Sequence, residues 1–167
     1  IEERALAVQE IRRMQEPERK SSNELAENQT IHSDLNENEA VAALRELRTK
    51  ILRQCNESNG VIVVTSVVPG GGGSFIARNL AAAFAFDPSR TSLLIDCNLR
   101  SSASSPLHSD LHQPGLTDFL EDTTIDINSI IHPAGIERLR YIPAGGKRET
   151  PREYFVSDRM SYLLNSV

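Results

Sequence analysis

Four consecutive glycines, at positions 70–73, separate a β-branched apolar run from an alanine-rich stretch with helical character. The run Val61–Ser66 is typical of a strand that is buried on both faces of a parallel sheet. Glycines leave their backbone N–H groups unshielded, and the N-terminus of the helix predicted over Ser74–Phe86 adds partial positive charge. Successive N–H groups in such a turn form a concavity that binds anions. The pattern therefore predicts a phosphate-binding loop between a strand and a helix.

The candidate nucleotide-binding residues form one continuous stretch: Pro69, Gly70, Gly71, Gly72, Gly73, Ser74 and Phe75. Ser74 stands where a hydroxyl can cap the helix or ligate Mg²⁺. The complete pattern of such loops ends in Gly-Lys-Ser/Thr, and here Gly73 holds the lysine position. That lysine supplies a full charge to the β- and γ-phosphates, which the backbone cannot replace. We therefore expect weakened ATP affinity and slow phosphoryl transfer; the alternative is a flexible glycine turn with no ligand.

A second apolar run, Thr91–Ile95, ends at Asp96, which is the candidate catalytic residue and, with Ser74, a candidate Mg²⁺ ligand. Strand, helix and strand in this order predict a right-handed βαβ crossover. We therefore expect an α/β fold of the P-loop NTPase type, with a parallel sheet flanked by helices. The remaining patterns predict a third strand over Leu139–Pro143 and helices over Ala40–Leu52, Gly115–Glu121, Ile125–Ile131 and Pro151–Val167. The last of these helices would have Phe155 and Val156 on its apolar side.

Residues 1–39 are polar, so we expect an N-terminal arm or linker ahead of a domain over 40–167. A helical stripe extends to about Met14. The stretch from Glu16 to Glu37 predicts a flexible or extended connector that only partner contacts would order, the alternative being a docking helix for a partner. Because the chain begins at Ile1, we expect it to be part of a longer polypeptide.

The composition excludes some classes of function. The formal net charge of −5 argues against a domain built mainly to coat nucleic acid. No apolar run approaches the roughly 20 residues that a membrane-spanning helix needs. Cys55 and Cys97 lack metal-binding spacing, and Cys97 follows an apolar run. We therefore expect a reduced, cytoplasmic protein in which Cys97 is a buried free thiol.

Four motifs between residues 39 and 164 carry a resemblance to a known family. They are Leu44-Arg45-Glu46-Leu47-Arg48-Thr49, Val64–Ala81 through the glycine loop, Leu93–Arg100 at the second strand, and Gly115–Leu120 followed by Tyr141–Gly145. In their order and spacing they resemble the cytoplasmic kinase domains of bacterial tyrosine kinases that partner polysaccharide copolymerases in capsule and exopolysaccharide export. These kinases are relatives of the septum-site and plasmid-partition ATPases. The resemblance implies ATP and Mg²⁺ as cofactors and tyrosine phosphorylation as the activity.

The sequence departs from this family at charged positions. Gly71 and Gly73 replace the usual acidic and basic residues of the loop. Asn98 replaces the second acid of the family's Asp-x-Asp-x-Arg motif, in which Asp96 is kept. Since Asn can accept a hydrogen bond but cannot take a proton, we expect weak catalysis or none.

The family forms rings through a Glu-x-x-Arg-x-x-Arg motif, in which Arg45 and Arg48 are present here and Ala42 takes the Glu position. The two arginines are therefore candidate oligomerisation residues, the alternative being a solvated helix face. The family also has a later strand, the Walker B strand, with an Asp that holds Mg²⁺, and a tyrosine-rich tail. We expect both to follow Val167 in a longer polypeptide, so the resemblance implies that the sheet is incomplete at its C-terminus.

Three hypotheses follow. The leading one is a catalytically degenerate relative that regulates or assembles exopolysaccharide or capsule synthesis and export through protein contacts. The second is an ATP-binding tyrosine autokinase of the same pathway. The third is a localisation ATPase of the septum-site or partition type (MinD/ParA), although Val67-Val68 lacks the additional lysine of that class.

The resemblance also implies partners and a location. The expected partner is a membrane polysaccharide copolymerase or chain-length regulator, or a kinase homologue, with a homo-oligomer as a further alternative. We expect no nucleic acid as a partner. The protein would be cytoplasmic and held at the inner face of the membrane through its partner.

Overall fold

The computed structural model describes residues 19–32, 39–55, 60–100 and 113–167. No helix in these ranges is both long and apolar enough to cross a membrane. The helical stripe predicted up to Met14 lies outside the described residues. The helices and strands, numbered in chain order, are α1 (Ser22–Glu27), α2 (Glu39–Gln54), α3 (Gly73–Ala85), β1 (Ser92–Ile95), α4 (Leu116–Glu121), α5 (Ile127–Ile130), β2 (His132–Pro133), β3 (Leu139–Ile142), α6 (Arg152–Phe155) and α7 (Asp158–Ser166).

Residue contacts divide the chain into two units. The first reaches Ser92 and includes Gly135–Leu139. The second consists of Leu93–Ala134 and Arg140–Val167. The expected boundary between an arm and a domain near residue 39 stays a prediction.

Helix α2 packs on α3 in the first unit and confirms the helix predicted over Ala40–Leu52. Its side chains Val41 and Leu44 are buried, because their spacing places both on one face. Arg48 is half-buried and hydrogen-bonded, so it is not part of a fully solvated helix face, which was the alternative interpretation. Its guanidinium Nη1 donates a hydrogen bond of 2.7 Å to the carbonyl O of Ala83 in α3. The bond joins the two helices where the last carbonyl groups of α3 lack partners within the helix.

The strand predicted over Val61–Ser66 is not formed, so the expected βαβ crossover is corrected. Val61, Ile62 and Val63 are 68%, 42% and 83% exposed, and neither face of the run is therefore buried. A β-branched run forms a strand only where a neighbouring strand pairs its backbone groups and a second layer covers its side chains. No strand among the described residues pairs with this run. The sequence pattern is suited to a buried strand, but it does not supply the neighbours that a strand requires.

The sheet has the strand order β1-β3-β2. The N–H of Ser92 donates to the carbonyl O of Arg138, and the N–H of Asp96 donates to the carbonyl O of Ile142, both at 2.9 Å. From the first bond to the second, the residue numbers rise along both strands. Strands β1 and β3 therefore run in the same direction and are parallel, as predicted. Strand β2, which the sequence analysis did not predict, pairs antiparallel with β3. The sheet is therefore mixed, with an antiparallel strand added to the predicted parallel pairing.

The helix predicted over Pro151–Val167 is divided into α6 and α7 by Ser157. Ser157 Oγ accepts a hydrogen bond of 3.2 Å from the N–H of Met160 and caps α7, because a serine side chain competes with the helical backbone bonds. Phe155 and Val156, expected on the apolar side, are 39% and 85% exposed. The apolar cluster of the second unit is formed instead by Leu99, Leu116, Phe119, Ile130, Ile142, Ala144, Met160 and Leu163.

Helix α1 lies within the segment predicted as a flexible or extended connector, and that prediction is wrong for these residues. Ser21 and Glu24 form a capping box, in which Ser21 Oγ accepts the N–H of Glu24 at 3.3 Å and Glu24 Oε2 accepts the N–H of Ser21 at 2.8 Å. Leu25 is buried. The Ser-x-x-Glu spacing is present in the sequence, but the polar residues around it favoured a connector.

Glu121, at the end of α4, binds two side chains from later in the second unit. Arg148 donates two hydrogen bonds to its carboxylate, and the hydroxyl of Tyr154 donates a third. The bonds from Arg148 and then from Tyr154 lower the pKa of Glu121 to about 2. Arg148 also donates its backbone N–H to the carbonyl O of buried Leu99 at 2.7 Å. The cluster thus fixes the chain between β3 and α6.

We predict that Glu121→Gln flattens the acid side of the stability profile. The pKa of Glu121 is about 2 in the folded chain, against a usual value of 4.5. Its contribution to stability is therefore complete above about pH 4.5 and is lost as the pH falls toward about 2. In urea unfolding at a series of pH values, the wild type should lose up to about 1 kcal/mol more than the variant over this range. Glu153→Gln, at an exposed position of α6, is the control, and superimposable profiles of Glu121→Gln and wild type would contradict the prediction.

Candidate functional site

The glycine loop leads directly into α3, which begins at Gly73, one residue before the predicted start. Gly72 is the N-cap and has a φ of 80°, in the left-handed region that glycine adopts without strain. Ser74 and Phe75 are exposed in the first turn of the helix. Ser74 therefore lies inside α3 and is not its N-cap.

A hydrogen bond within the loop involves the residue at the lysine position. The N–H of Gly73, the first amide of α3, donates to Ser66 Oγ at 2.9 Å. The N–H of Gly71 donates to the carbonyl O of Val68 at 3.1 Å. A Cβ atom at position 73 would overlap Ser66 Oγ, so this hydrogen bond is compatible with glycine but not with a side chain there. Any side chain at position 73 has to displace the Ser66 hydroxyl.

The loop offers backbone N–H groups to a phosphate, but it has no cationic side chain of its own. Residues 66–75 contain neither Lys nor Arg. The N-terminus of α3 carries partial positive charge that favours an anion. One of its amides is already bonded to Ser66 Oγ. A phosphate here would therefore have only backbone donors from the loop, without the charge that holds the β- and γ-phosphates of ATP.

Asp96 follows β1 in the second unit, and its carboxylate is bonded locally. Oδ1 accepts the N–H of Asn98 at 2.9 Å, and Oδ2 accepts the hydroxyl of buried Tyr141 at 3.3 Å. These bonds orient the carboxylate at the end of the strand. The backbone of Asn98, whose side chain was expected to weaken catalysis, thus helps to hold Asp96 in place.

The two candidate Mg²⁺ ligands, Ser74 and Asp96, belong to different units. Mg²⁺ requires near-octahedral oxygen coordination, usually from one or two carboxylates, waters and phosphates. Both carboxylate oxygens of Asp96 already accept hydrogen bonds. Within the described ranges, no three His, Cys, Asp or Glu side chains are grouped so that they could hold a metal ion. The assignment of Ser74 and Asp96 to Mg²⁺ stays a prediction.

Cys97 is exposed, which corrects the expectation of a buried thiol. Strand β1 ends at Ile95, so Cys97 lies two residues beyond it in the chain that leaves the strand and not among the strand residues. The residue as a whole is exposed, but protein atoms around its sulfur exclude water from it. This desolvation and the neighbouring Asp96 carboxylate raise the pKa of the thiol to about 11. The thiol is therefore protonated near neutral pH and is a poor nucleophile.

The two segments of the fourth sequence motif, Gly115–Leu120 and Tyr141–Gly145, contact each other in the second unit. The N–H of Leu116 donates to the carbonyl O of Pro143 at 2.8 Å, and the N–H of Thr117 donates to that of Ala144 at 3.1 Å. Gly145 has a φ of 78°, and a Cβ atom there would overlap Thr117 Oγ1. The first turn of α4 is thus held by the chain that leaves β3. This structural role was not predicted, because sequence spacing does not show which segments meet.

The candidate oligomerisation residues Arg45 and Arg48 lie on α2 and are half-buried, whereas Ala42 is exposed. Arg48 bonds to α3 within the same unit, as described above. That bond gives Arg48 a role in the fold of the single chain. Assembly through these arginines stays a prediction.

No family model matches the chain. Among curated proteins, it is 32% identical over 126 residues to the tyrosine-protein kinase wzc of Salmonella typhimurium, covering 75% of this chain and 17% of that protein. It is 30% identical over 129 residues to the tyrosine-protein kinase ptk of Acinetobacter johnsonii, covering 77% and 17%. The chain belongs to the family of bacterial tyrosine kinases of exopolysaccharide synthesis. The succinoglycan biosynthesis transport protein ExoP of Rhizobium meliloti matches at 32% over 114 residues, covering 64% and 14%.

Solved structures of this kinase family share the fold. The BceF tyrosine kinase domain superimposes with a TM-score of 0.69 at 27% identity, covering 89% of this chain and 64% of that one. The kinase domain of the Escherichia coli tyrosine kinase ETK also gives 0.69 at 27%, covering 89% and 61%. The predicted α/β fold of the P-loop type is confirmed. The chain spans 14–17% of the length of the curated kinase-family relatives named above.

We predict that Gly145→Ala destabilises this kinase-family chain by about 2–3 kcal/mol, because the new methyl group adds overlap with Thr117 to the cost of a positive φ. Gly70→Ala is the matched control, since Gly70 also has a positive φ (73°) but nothing lies within 4 Å of its Cβ position. That variant should cost about 1 kcal/mol. Chemical denaturation measures both values. Equal losses of unfolding free energy in the two variants would show that the contact between Gly115–Leu120 and Tyr141–Gly145 does not constrain position 145.

Proposed function

We propose that this chain is part of a kinase-like component that regulates or assembles exopolysaccharide or capsule synthesis and export through protein contacts. The observation that carries the proposal is Gly73 at the lysine position, where the Ser66 hydroxyl lies against the backbone. Phosphoryl transfer depends mainly on positioning and on charge that stabilises the transferring group. A loop without a cation, followed by Asn98 at an acidic position of the family, supports weak catalysis or none.

ATP and Mg²⁺ enter this proposal as ligands of low affinity. ATP would supply the phosphoryl group, and the backbone of residues 69–75 would hold its phosphates. Ser74 and Asp96 would contribute oxygen ligands to Mg²⁺. In the described conformation Asp96 instead accepts hydrogen bonds from its own turn and from Tyr141, which favours a structural use of that carboxylate.

A tyrosine autokinase of the same pathway is the second candidate. The relatives named tyrosine-protein kinases, at 30–32% identity, support it. In this case another cation, from outside the loop or from a longer polypeptide, would replace the missing lysine.

The expected partner is a membrane polysaccharide copolymerase or chain-length regulator, or a kinase homologue, and the ExoP match supports an association with polysaccharide transport. The protein would then be cytoplasmic and held at the inner face of the membrane by this partner. Homo-oligomers through Arg45 and Arg48 are a further proposal. Arg48 would have to make such a contact in addition to, or in place of, its hydrogen bond to Ala83.

An autophosphorylation assay on the full-length protein with ATP and Mg²⁺ tests the leading proposal. We predict no phosphotyrosine above the level of a no-ATP control, because the loop lacks the charge that the β- and γ-phosphates require. Robust, Mg²⁺-dependent phosphotyrosine would overturn the proposal in favour of the autokinase.

Restoring the lysine tests the same site by another route. We predict that Gly73→Lys alone raises ATP affinity little, because its side chain has to displace Ser66 Oγ, and that adding Ser66→Ala raises the affinity about tenfold or more. The control is the double variant Gly73→Gln with Ser66→Ala, because the Gln side chain also reaches out from position 73 but carries no charge. Calorimetric titration with ATP measures the affinities. If the Lys and Gln double variants bind ATP equally, the loop is not a phosphate cradle.

A further inference from the structure

Asn79 is a fully buried polar residue of α3 that the proposed function does not use. Its side chain makes three hydrogen bonds. Oδ1 accepts the N–H of Ile31 at 2.7 Å, and Nδ2 donates to the carbonyl O atoms of Gln29 at 3.0 Å and Phe75 at 2.9 Å. A single amide group therefore joins residues near the N-terminus to the first turn of α3.

The segment 19–32, called the strap below, is held to the rest of the first unit by a small apolar contact and a few polar ones. Leu25 and Ile31 are its buried apolar residues. The N–H of Lys20 donates to the carbonyl O of Gly135 at 2.9 Å, and Arg19 Nη2 forms an ion pair of 2.6 Å with Glu137 Oε2. Most other strap residues are exposed or half-buried, and α1 has only six residues. A segment with so few buried apolar contacts opens more readily than the packed helices of its unit.

Release of the strap would remove two of the three hydrogen-bond partners of Asn79. A buried amide that loses its partners is costly, so the side chain would have to reorient or become hydrated. In the docked state, the bonds to Gln29 and Ile31 fix the orientation in which Nδ2 also holds the carbonyl O of Phe75. Phe75 follows the glycine loop directly and lies in the first turn of α3. Strap docking and the geometry of this turn therefore depend on the same side chain.

We propose that the strap is a conformational switch for the glycine loop and acts through Asn79. With the strap docked, the first turn of α3 is held and the loop ahead of it is ordered. With the strap released, this turn and the loop loosen. Any process that favours the released strap would then change the loop without touching it, since both depend on one two-state element.

Hydrogen exchange of the whole chain, measured by mass spectrometry, tests this coupling. Leu25→Ala and Ile31→Ala remove apolar contacts of the strap and leave α3 unchanged. Each should raise the exchange rate of strap peptides and, in the same samples, of peptides covering residues 70–77 by at least about threefold. Asn79→Asp keeps an acceptor but loses the Nδ2 donor, and it should raise exchange in both segments. If a strap variant fails to fold, Ser21→Ala, which removes the α1 cap, is the milder replacement.

Leu44→Ala is the control, because it removes a similar apolar group from α2 in the same unit. It should raise exchange in 70–77 less than the strap variants do at the same loss of stability. Faster exchange in the strap with unchanged exchange in 70–77 would overturn the proposal. Equal effects of the control and the strap variants on 70–77 would also overturn it, because they would indicate general loosening of the unit.

Discussion

The first unit depends on the hydrogen bonds that α3 makes along its length. The buried Asn79 side chain holds the strap, the carbonyl O of Ala83 accepts Arg48, and the carbonyl O of Ala85 accepts Arg138 Nε at 2.9 Å. The last carbonyl groups of a helix have no partners within it, so these arginines satisfy atoms that would otherwise lose a bond on burial. The glycine loop lies at the other end of this helix. These contacts therefore hold the helix that begins at the loop, and all of them are made by residues of the chain itself.

The glycine loop has the backbone pattern of a phosphate-binding loop, but one of its N–H groups is bonded to a side chain of the chain itself. In the P-loop pattern, a lysine extends from the position that Gly73 holds. Here the Ser66 hydroxyl accepts the amide of Gly73 and lies where a side chain would begin. A hydroxyl satisfies one N–H group but adds no positive charge. This contrast is the basis of our proposal that the chain keeps the fold of the kinase family with a loop poorly suited to phosphoryl transfer.

The sequence predicted α2 and α3 well, because apolar spacing such as that of Val41 and Leu44 reports which face is buried. It missed α1 and joined α6 and α7 into one helix, because side-chain caps such as Ser21 and Ser157 decide where short helices begin. It failed for Val61–Ser66, because residue preference favours a strand while the formation of a strand depends on neighbours. The kinase-like motifs were visible in the sequence, and the matched relatives and structures confirm the family. Asn79 lies within one of these motifs, but its bonds to residues 48 and 50 positions earlier could not be read from the sequence. Long-range polar contacts of this kind leave no periodic signal.

The central claim is that the loop lacks the charge needed to hold ATP for phosphoryl transfer. Isothermal titration calorimetry of the wild-type chain with ATP and Mg²⁺ tests it most directly. The account predicts a Kd weaker than about 1 mM, because backbone N–H groups and a helix N-terminus act without a lysine. A Kd in the range of about 1–10 µM would contradict it, since binding of that strength requires a cation at the phosphates that this account does not provide.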